Sequence, residues 1–344
     1  MRPDWLKNWT AHRSGSGECA QRDPPLGPSR AVLLLPRIRD TGSWRQTWGK
    51  LARKVDKVPE GDLAKDVGIG AAGTRAPCGQ TELRKDMGDI VRAALAAVAP
   101  EACISRTVRL RGKHIVFGNQ QLPSRKACRV LVLGMGKASA GMAAALEGVL
   151  GDRISAGIVA IADGYAVPTK RVEVVQAGHP VPDSRSVEAA KRMSRLAETA
   201  RTGDLVLALV SGGGSSLAVL PPEPLTLSDV VRTNELLLRS GVRVSEMNVV
   251  RKHLCSLKGG RLAELASPAQ VVGLVLSDVP GDPLGSIASG PTVSGPTAFT
   301  EALQIVRRPG LESRVPNALS RIWKPEHVVR GVRAGKPATR RLGR

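Results

Sequence analysis

Leu205-Val206-Leu207-Ala208-Leu209-Val210-Ser211-Gly212-Gly213-Gly214-Ser215-Ser216 is the stretch that decides the architecture of this chain. An aliphatic run without alternation predicts a strand of a parallel sheet, buried on both faces. The run stops in three glycines flanked by serines. Glycine opens backbone angles closed to other residues. Bare N–H groups and serine hydroxyls in such a turn can converge on one anion. Ser211, Gly212, Gly213, Gly214, Ser215 and Ser216 are therefore expected to form a phosphate or carboxylate cradle at the carboxyl end of a strand.

Working upstream, Arg129-Val130-Leu131-Val132-Leu133 reads as another buried strand. Gly134-Met135-Gly136-Lys137-Ala138-Ser139 follows and opens a helix to about Leu150. Strand, glycine turn and helix N-terminus together favour anions. Gly134 and Gly136 are candidate phosphate-binding positions. The third glycine of a dinucleotide fingerprint is displaced to Gly141, no acidic residue ends the next strand in the dinucleotide manner (Asp163-Gly164-Tyr165 follow it), and a complete phosphate loop is missing. A cation at a helix N-terminus, where negative charge is favoured, suits a site with several phosphate charges. That makes Lys137 a candidate catalytic residue. Gly157–Ile161 and Val172–Gln176 continue the strand series. Ala177-Gly178-His179-Pro180-Val181-Pro182-Asp183 forms a rigid loop. His179 is a base, a substrate ligand, or a loop histidine that bonds backbone. Asp183 or Ser184 caps a helix over 185–199. Before the first core strand, a helix is expected over 89–98 and a hairpin over 108–117.

Downstream, a helix over 226–240 precedes a segment dense in cations. Arg251 and Lys258 lie seven residues apart, so they share one face if that helix is unbroken, and they are read as a cationic wall facing an acidic ligand. Val271–Leu276 is a further strand, ending in Ser277-Asp278-Val279-Pro280-Gly281-Asp282-Pro283. Asp278 and Asp282 in a tight loop suit magnesium, which prefers one or two carboxylates plus phosphate oxygens and water. The same residues can instead supply turn chemistry. Phe299–Val306 reads as the last helix.

Strands alternating with helices predict an α/β fold, a Rossmann-like parallel sheet with helices on both faces. The three turns would then share the carboxyl rim, where such sheets bind ligands. Phosphate positioning, charge neutralisation and a metal are what phosphoryl transfer needs.

Composition separates the body from its flanks. The net charge of +21 would ordinarily suggest nucleic acid, but residues 1–81 and 321–344 carry 13 of those charges. All five tryptophans lie in these flanks as well. Residues 1–81 are expected to be a basic, irregular or disordered extension, 82–320 the folded domain, and 321–344 a basic tail. No apolar run approaches the ~18 residues of a membrane span. Five scattered cysteines without close pairs suggest a reducing, cytoplasmic setting.

The ordered motifs G-M-G-K-A, A-G-H-P-V-P-D, S-G-G-G-S-S, N-x-x-R-K-H-L-x-x-x-K-G-G, L-S-D-V-P-G-D and I-A-S-G-P-T over residues 85–320 resemble the glycerate 2-kinase family that carries a C-terminal MOFRL domain. Some of its members are labelled hydroxypyruvate reductase. The resemblance implies transfer of the ATP γ-phosphate to D-glycerate with Mg2+, 2-phosphoglycerate being the favoured product. It implies a Rossmann-like domain facing a smaller C-terminal domain across a cleft. By the same resemblance Lys137 is the catalytic lysine and residues 211–216 the anion cradle. Arg251 and Lys258 would hold carboxylate or phosphate, and Asp278 and Asp282 would order the metal or substrate hydroxyls, Asp278 sitting beside Lys137 in the catalytic set. The sequence leaves the family pattern near Ser320, and the motifs of the C-terminal domain are absent, so impaired transfer and weak ligand binding are expected of this chain. An oligomer is compatible with the sequence. Two other readings stand beside the kinase: an NAD(P)H-dependent hydroxypyruvate reductase, and a non-catalytic basic protein that binds nucleic acid. The aromatic-poor body offers the latter few stacking platforms.

Overall fold

The computed structural model describes residues 30–34, 78–112, 114–118, 120–122, 129–293, 299–308, 310–322 and 339–342. At its centre is a parallel sheet. Its core strands are β5 (Val130–Met135), β6 (Ile154–Ala162), β7 (Val172–Ala177), β8 (Leu205–Ser211) and β9 (Gln270–Leu276). They are ordered β9-β8-β5-β6-β7 and every pairing is parallel. The α/β, Rossmann-like expectation is met.

Alternate residues of each strand enter opposite cores, which is why the runs are continuously aliphatic. Leu131, Leu133 and Met135 pack with Ala189, Ala190 and Met193 of α4 (Ser184–Glu198). Val130 and Val132 pack with Met142 and Leu146 of α3 (Ser139–Leu150) and with Ile104 of α2 (Pro100–Thr107). Each fully buried aliphatic side chain contributes roughly 1.5–3 kcal/mol. A third cluster joins α6 (Leu227–Arg239), α7 (Val244–His253) and α9 (Phe299–Val306) through Leu237, Val250 and Ile305.

The strand order places a switch point at the site. From β5 the chain moves outward through β6 and β7, then returns to lay β8 on the other side of β5 and β9 beyond it. Ligands of open α/β sheets bind in the crevice at such a reversal, beyond the carboxyl ends of the strands. Here that crevice lies between the turns that follow β5 and β8.

Several boundaries differ from those read in the sequence. The helix expected over 89–98 starts at Cys78 (α1, Cys78–Val98), and a short α10 (Asn317–Ile322) follows α9. The expected hairpin is present as β2 (Val108–Arg111) and β3 (His114–Phe117), with β4 (Gln120–Leu122) added. Within the flanks, read as lacking regular elements, β1 (Arg30–Leu34) pairs in parallel with β9, and β10 (Thr339–Leu342) pairs with β1. The aliphatic run starting at Ala31 finds an open sheet edge at β9. The remainder of both flanks lies outside the described residues. No described helix is long and apolar enough to cross a membrane.

Candidate active site

Hydrogen bonds stitch the two glycine turns at the switch point together. The Lys137 N–H donates to Gly212 O (2.9 Å), and the Ala138 N–H donates to Ser211 Oγ (3.0 Å). Gly136 has a φ of +135°, and a Cβ there would lie 2.2 Å from Ser211 Oγ. The close approach of the two loops therefore requires glycine at 136. Gly213 takes the left-handed conformation (φ +86°, ψ −14°) and starts the short α5 (Gly214–Leu217). A Cβ on it would meet the His179 ring at 3.0 Å.

Around this turn the structure sorts the residues proposed from sequence. Lys137 lies along it: its Cγ is 3.5 Å from a Cβ built on Gly213, and its Nζ stands 6.0 Å from the Tyr165 ring centroid. Asp278, just past β9, comes up against Gly212, with Oδ2 only 2.7 Å from where a Cβ would be. Lys137, Gly212, Gly213 and Asp278 therefore form one rim. Ser215 Oγ is hydrogen-bonded to Ser289 Oγ (2.9 Å), and Ser216 Oγ donates to Gly213 O (3.2 Å). Ser289 and its neighbour Ala288 have positive φ (60° and 48°). Such a conformation is costly for non-glycine residues, and at Ser289 it accompanies the bond to the cradle. In the sequence this stretch stands out only as the I-A-S-G-P-T motif, which does not single out Ser289.

Gly134, Ser211, Gly214 and Lys258 are placed differently from the sequence reading, and Arg251 does not share a helical face with Lys258. Gly134 is inside β5, opposite Val159 and Leu209 of the neighbouring strands. A Cβ there would strike Val159 Cγ1 at 2.7 Å, so this glycine serves strand packing. Ser211 is buried with its hydroxyl committed to the Ala138 N–H. Gly214 is buried against Met135 and Ala288. α7 ends at His253, so Arg251 and Lys258 do not share a helical face. Lys258 is 1% exposed and its Nζ donates to Gly214 O (3.2 Å) and Ala218 O (2.9 Å). This ammonium braces the cradle from beneath. Burial, and secondarily the nearby Arg251 charge, push its pKa down. Arg261 Nη1 gathers the carbonyls of Lys252, Cys255 and Lys258 and so fixes this connecting loop.

Beside the cradle is a cavity of about 360 Å3. Gly213, Ser215 and Ser216 line it, with His179, Arg251 and Lys258. Arg251 Nε donates to Asn234 Oδ1 (3.0 Å), a partner on α6 that sequence reasoning missed. Its signal was a polar residue on the otherwise apolar face of that helix. The His179 loop is anchored by the capping box of α4, in which Asp183 accepts from the Ser186 N–H (3.0 Å). Burial, and then the Lys137 charge, lower the His179 pKa from its usual value and favour the neutral ring.

Asp282, the second proposed metal ligand, adopts φ 51° with its N–H donating to Val279 O (3.2 Å). Among the described residues no group of three or more His, Cys, Asp or Glu gathers as a metal site. Asp163 follows the last residue of β6, as the sequence places it. Arg185 takes both its oxygens (2.8 and 2.9 Å), and the carboxylate is thereby engaged.

Residues 86–324 match the family described as a domain of unknown function, DUF4147. An Agrobacterium vitis protein bearing a hydroxypyruvate reductase name is 49% identical over 191 residues, covering 56% of this chain and 44% of that one. A Pyrococcus horikoshii glycerate 2-kinase is 37% identical over 244 residues, 71% of this chain and 53% of that one. The crystal structure of a Thermotoga maritima glycerate kinase superposes with a TM-score of 0.61 at 36% identity, covering 71% of this chain and 55% of that one. The chain spans about half the length of the curated relatives it matches. Matched over the five core strands and both glycine turns, the chain belongs to the DUF4147 domain family, the family of the glycerate kinases.

Proposed function

We infer that this chain carries the phosphate-handling site of an ATP-dependent glycerate kinase that forms phosphoglycerate, 2-phosphoglycerate being the favoured product. The observation that carries the reading is the rim at the β5/β8 switch point, where Lys137, the left-handed Gly213 and Asp278 converge on one turn. Phosphoryl transfer is catalysed mainly by positioning and charge stabilisation. In this reading Lys137 offsets the charge that develops on the transferring group. The turn at 212–214 orients it through backbone N–H groups. Neutral His179 accepts a proton or a hydrogen bond from the substrate hydroxyl.

Asp278 and Asp282 are the side chains that would hold Mg2+. One carboxylate beside the cradle suits that ion, which completes its shell with phosphate oxygens and water. When bound, Mg2+ would neutralise phosphate charge.

A coupled assay of ADP release with ATP, Mg2+ and D-glycerate tests the reading. Glycerate-dependent ADP formation is expected, falling by about 100-fold in Lys137→Met, as for loss of one electrostatic stabiliser. The hydroxypyruvate reductase name of the A. vitis relative motivates a second reading. The engagement of Asp163 by Arg185 counts against it, since a dinucleotide site needs a free acidic residue there for the ribose. NADH oxidation on adding hydroxypyruvate, without ADP release from ATP, would move the assignment to the reductase.

A further inference from the structure

The cavity beside the cradle has a lining that glycerate does not explain. Every carbon of glycerate bears oxygen, so it has little apolar surface to bury. Yet α6 contributes Val230, Val231 and Leu238 to the cavity wall, and Val219 and Leu254 join them. Phosphate has no use for such a wall either. A volume of about 360 Å3 lies within the range of organic ligand pockets, ~300–1,000 Å3, which pair apolar walls with a few oriented polar groups.

Besides His179, Arg251 and Lys258, two sets of polar groups face the cavity. On α6 are Asn234 and Glu235. Asn234 Oδ1 is occupied by Arg251 Nε, which leaves the amide NH2 as donor. The Glu235 carboxylate is an acceptor. The cavity thus offers both a donor and an acceptor, which the edge of a base with an exocyclic amine adjoining a ring nitrogen requires. On the turn are Gly213, Ser215 and Ser216, adjoining Lys137. A ligand with a flat apolar body, an amino edge and an anionic tail has what both sets require.

We propose that this cavity takes the adenosine part of an adenine nucleotide, with its phosphates leading across Gly213 to the Lys137–Asp278 rim. The acceptor acid then belongs at the rim end, where His179 and Lys137 flank Gly213. The triple-glycine turn is shared between the two: Gly213, Ser215 and Ser216 meet the nucleotide, and Gly212, beside Asp278, faces the acceptor.

This rests on the kinase reading for the nature of the ligand, and the test separates the two. The full chain is photolabelled with 8-azido-ATP and the modified peptides are mapped. Affinities for ADP, adenosine and D-glycerate are measured for wild type, Val231→Trp and Leu238→Trp. Leu238 is 64% exposed, so its replacement leaves the fold intact even if Val231→Trp does not. Labelling is expected within residues 227–238 or 251–258. The tryptophans are expected to weaken ADP and adenosine about tenfold or more, which is about 1.4 kcal/mol, and to leave D-glycerate binding unchanged. Tight ADP binding with labelling elsewhere, or tryptophan variants that lose glycerate and keep ADP, would overturn this assignment and leave the kinase reading standing. Absence of any adenine nucleotide binding to wild type would overturn both.

Discussion

His179 shows how single residues of the site report on one another. Its ring touches the space above Gly213, and its pKa is lowered by burial and then by the Lys137 charge. A histidine depressed in the folded state stays neutral there while the unfolded chain takes up a proton near pH 6.5. Native stability from this group is therefore present above about pH 6.5 and declines as the pH falls below it. An NMR titration of the histidine ring is expected to give a midpoint below 6.5. Lys137→Met should move it upward, because the second cause is removed. An unchanged midpoint would mean that Lys137 does not face His179. Lys258 teaches the opposite lesson: a lysine in a motif need not meet a ligand, and here two backbone carbonyls occupy it.

Among the elements, β5 and β8 carry the two glycine turns, and their shared foot is held by one ion pair. Asp204, 6% exposed, accepts from Arg129 Nη2 (2.6 Å), from the Arg129 N–H (3.1 Å) and from the Arg201 N–H (2.9 Å). Burial alone would raise its carboxyl pKa, but the Arg129 guanidinium and the two backbone donors outweigh it and hold the group below the usual range. Its stabilisation is then present above about pH 4 and is lost as pH falls through the depressed folded value. Asp204→Asn should cost about 2 kcal/mol at pH 7 by urea unfolding, since Arg129 is partly exposed and the lower part of the range for charged hydrogen bonds applies. The gap from wild type should narrow toward pH 3. A gap that persists at pH 3 would show that packing, not charge, carries the effect.

The elements were largely legible beforehand because their signals are local. Aliphatic runs gave the five core strands, and Asp183 was readable as a candidate cap. What stayed hidden depends on pairs distant in sequence. Nothing near Lys258 reveals that it will meet Gly214 and Ala218, nothing near Arg251 reveals Asn234, and the αL conformation of Ser289 is fixed by its surroundings. Gly134 was misread because a glycine packed inside a strand and a glycine in a phosphate turn look alike in sequence.

For the whole molecule, the strand order β9-β8-β5-β6-β7 makes one crevice, and both glycine turns open on it. Residues 1–81 and 321–344 carry 13 of the 21 excess positive charges, so the net charge says little about the site. The central claim is that the turn at 212–216, with Lys137, holds phosphate. Calorimetric titration of Mg·ATP and of adenosine into wild type and Lys137→Met tests it most directly. The account predicts that the substitution weakens Mg·ATP about tenfold or more, as for a lost hydrogen bond to a charged group, and leaves adenosine affinity and thermal stability unchanged. Equal Mg·ATP affinity in the two proteins would contradict it.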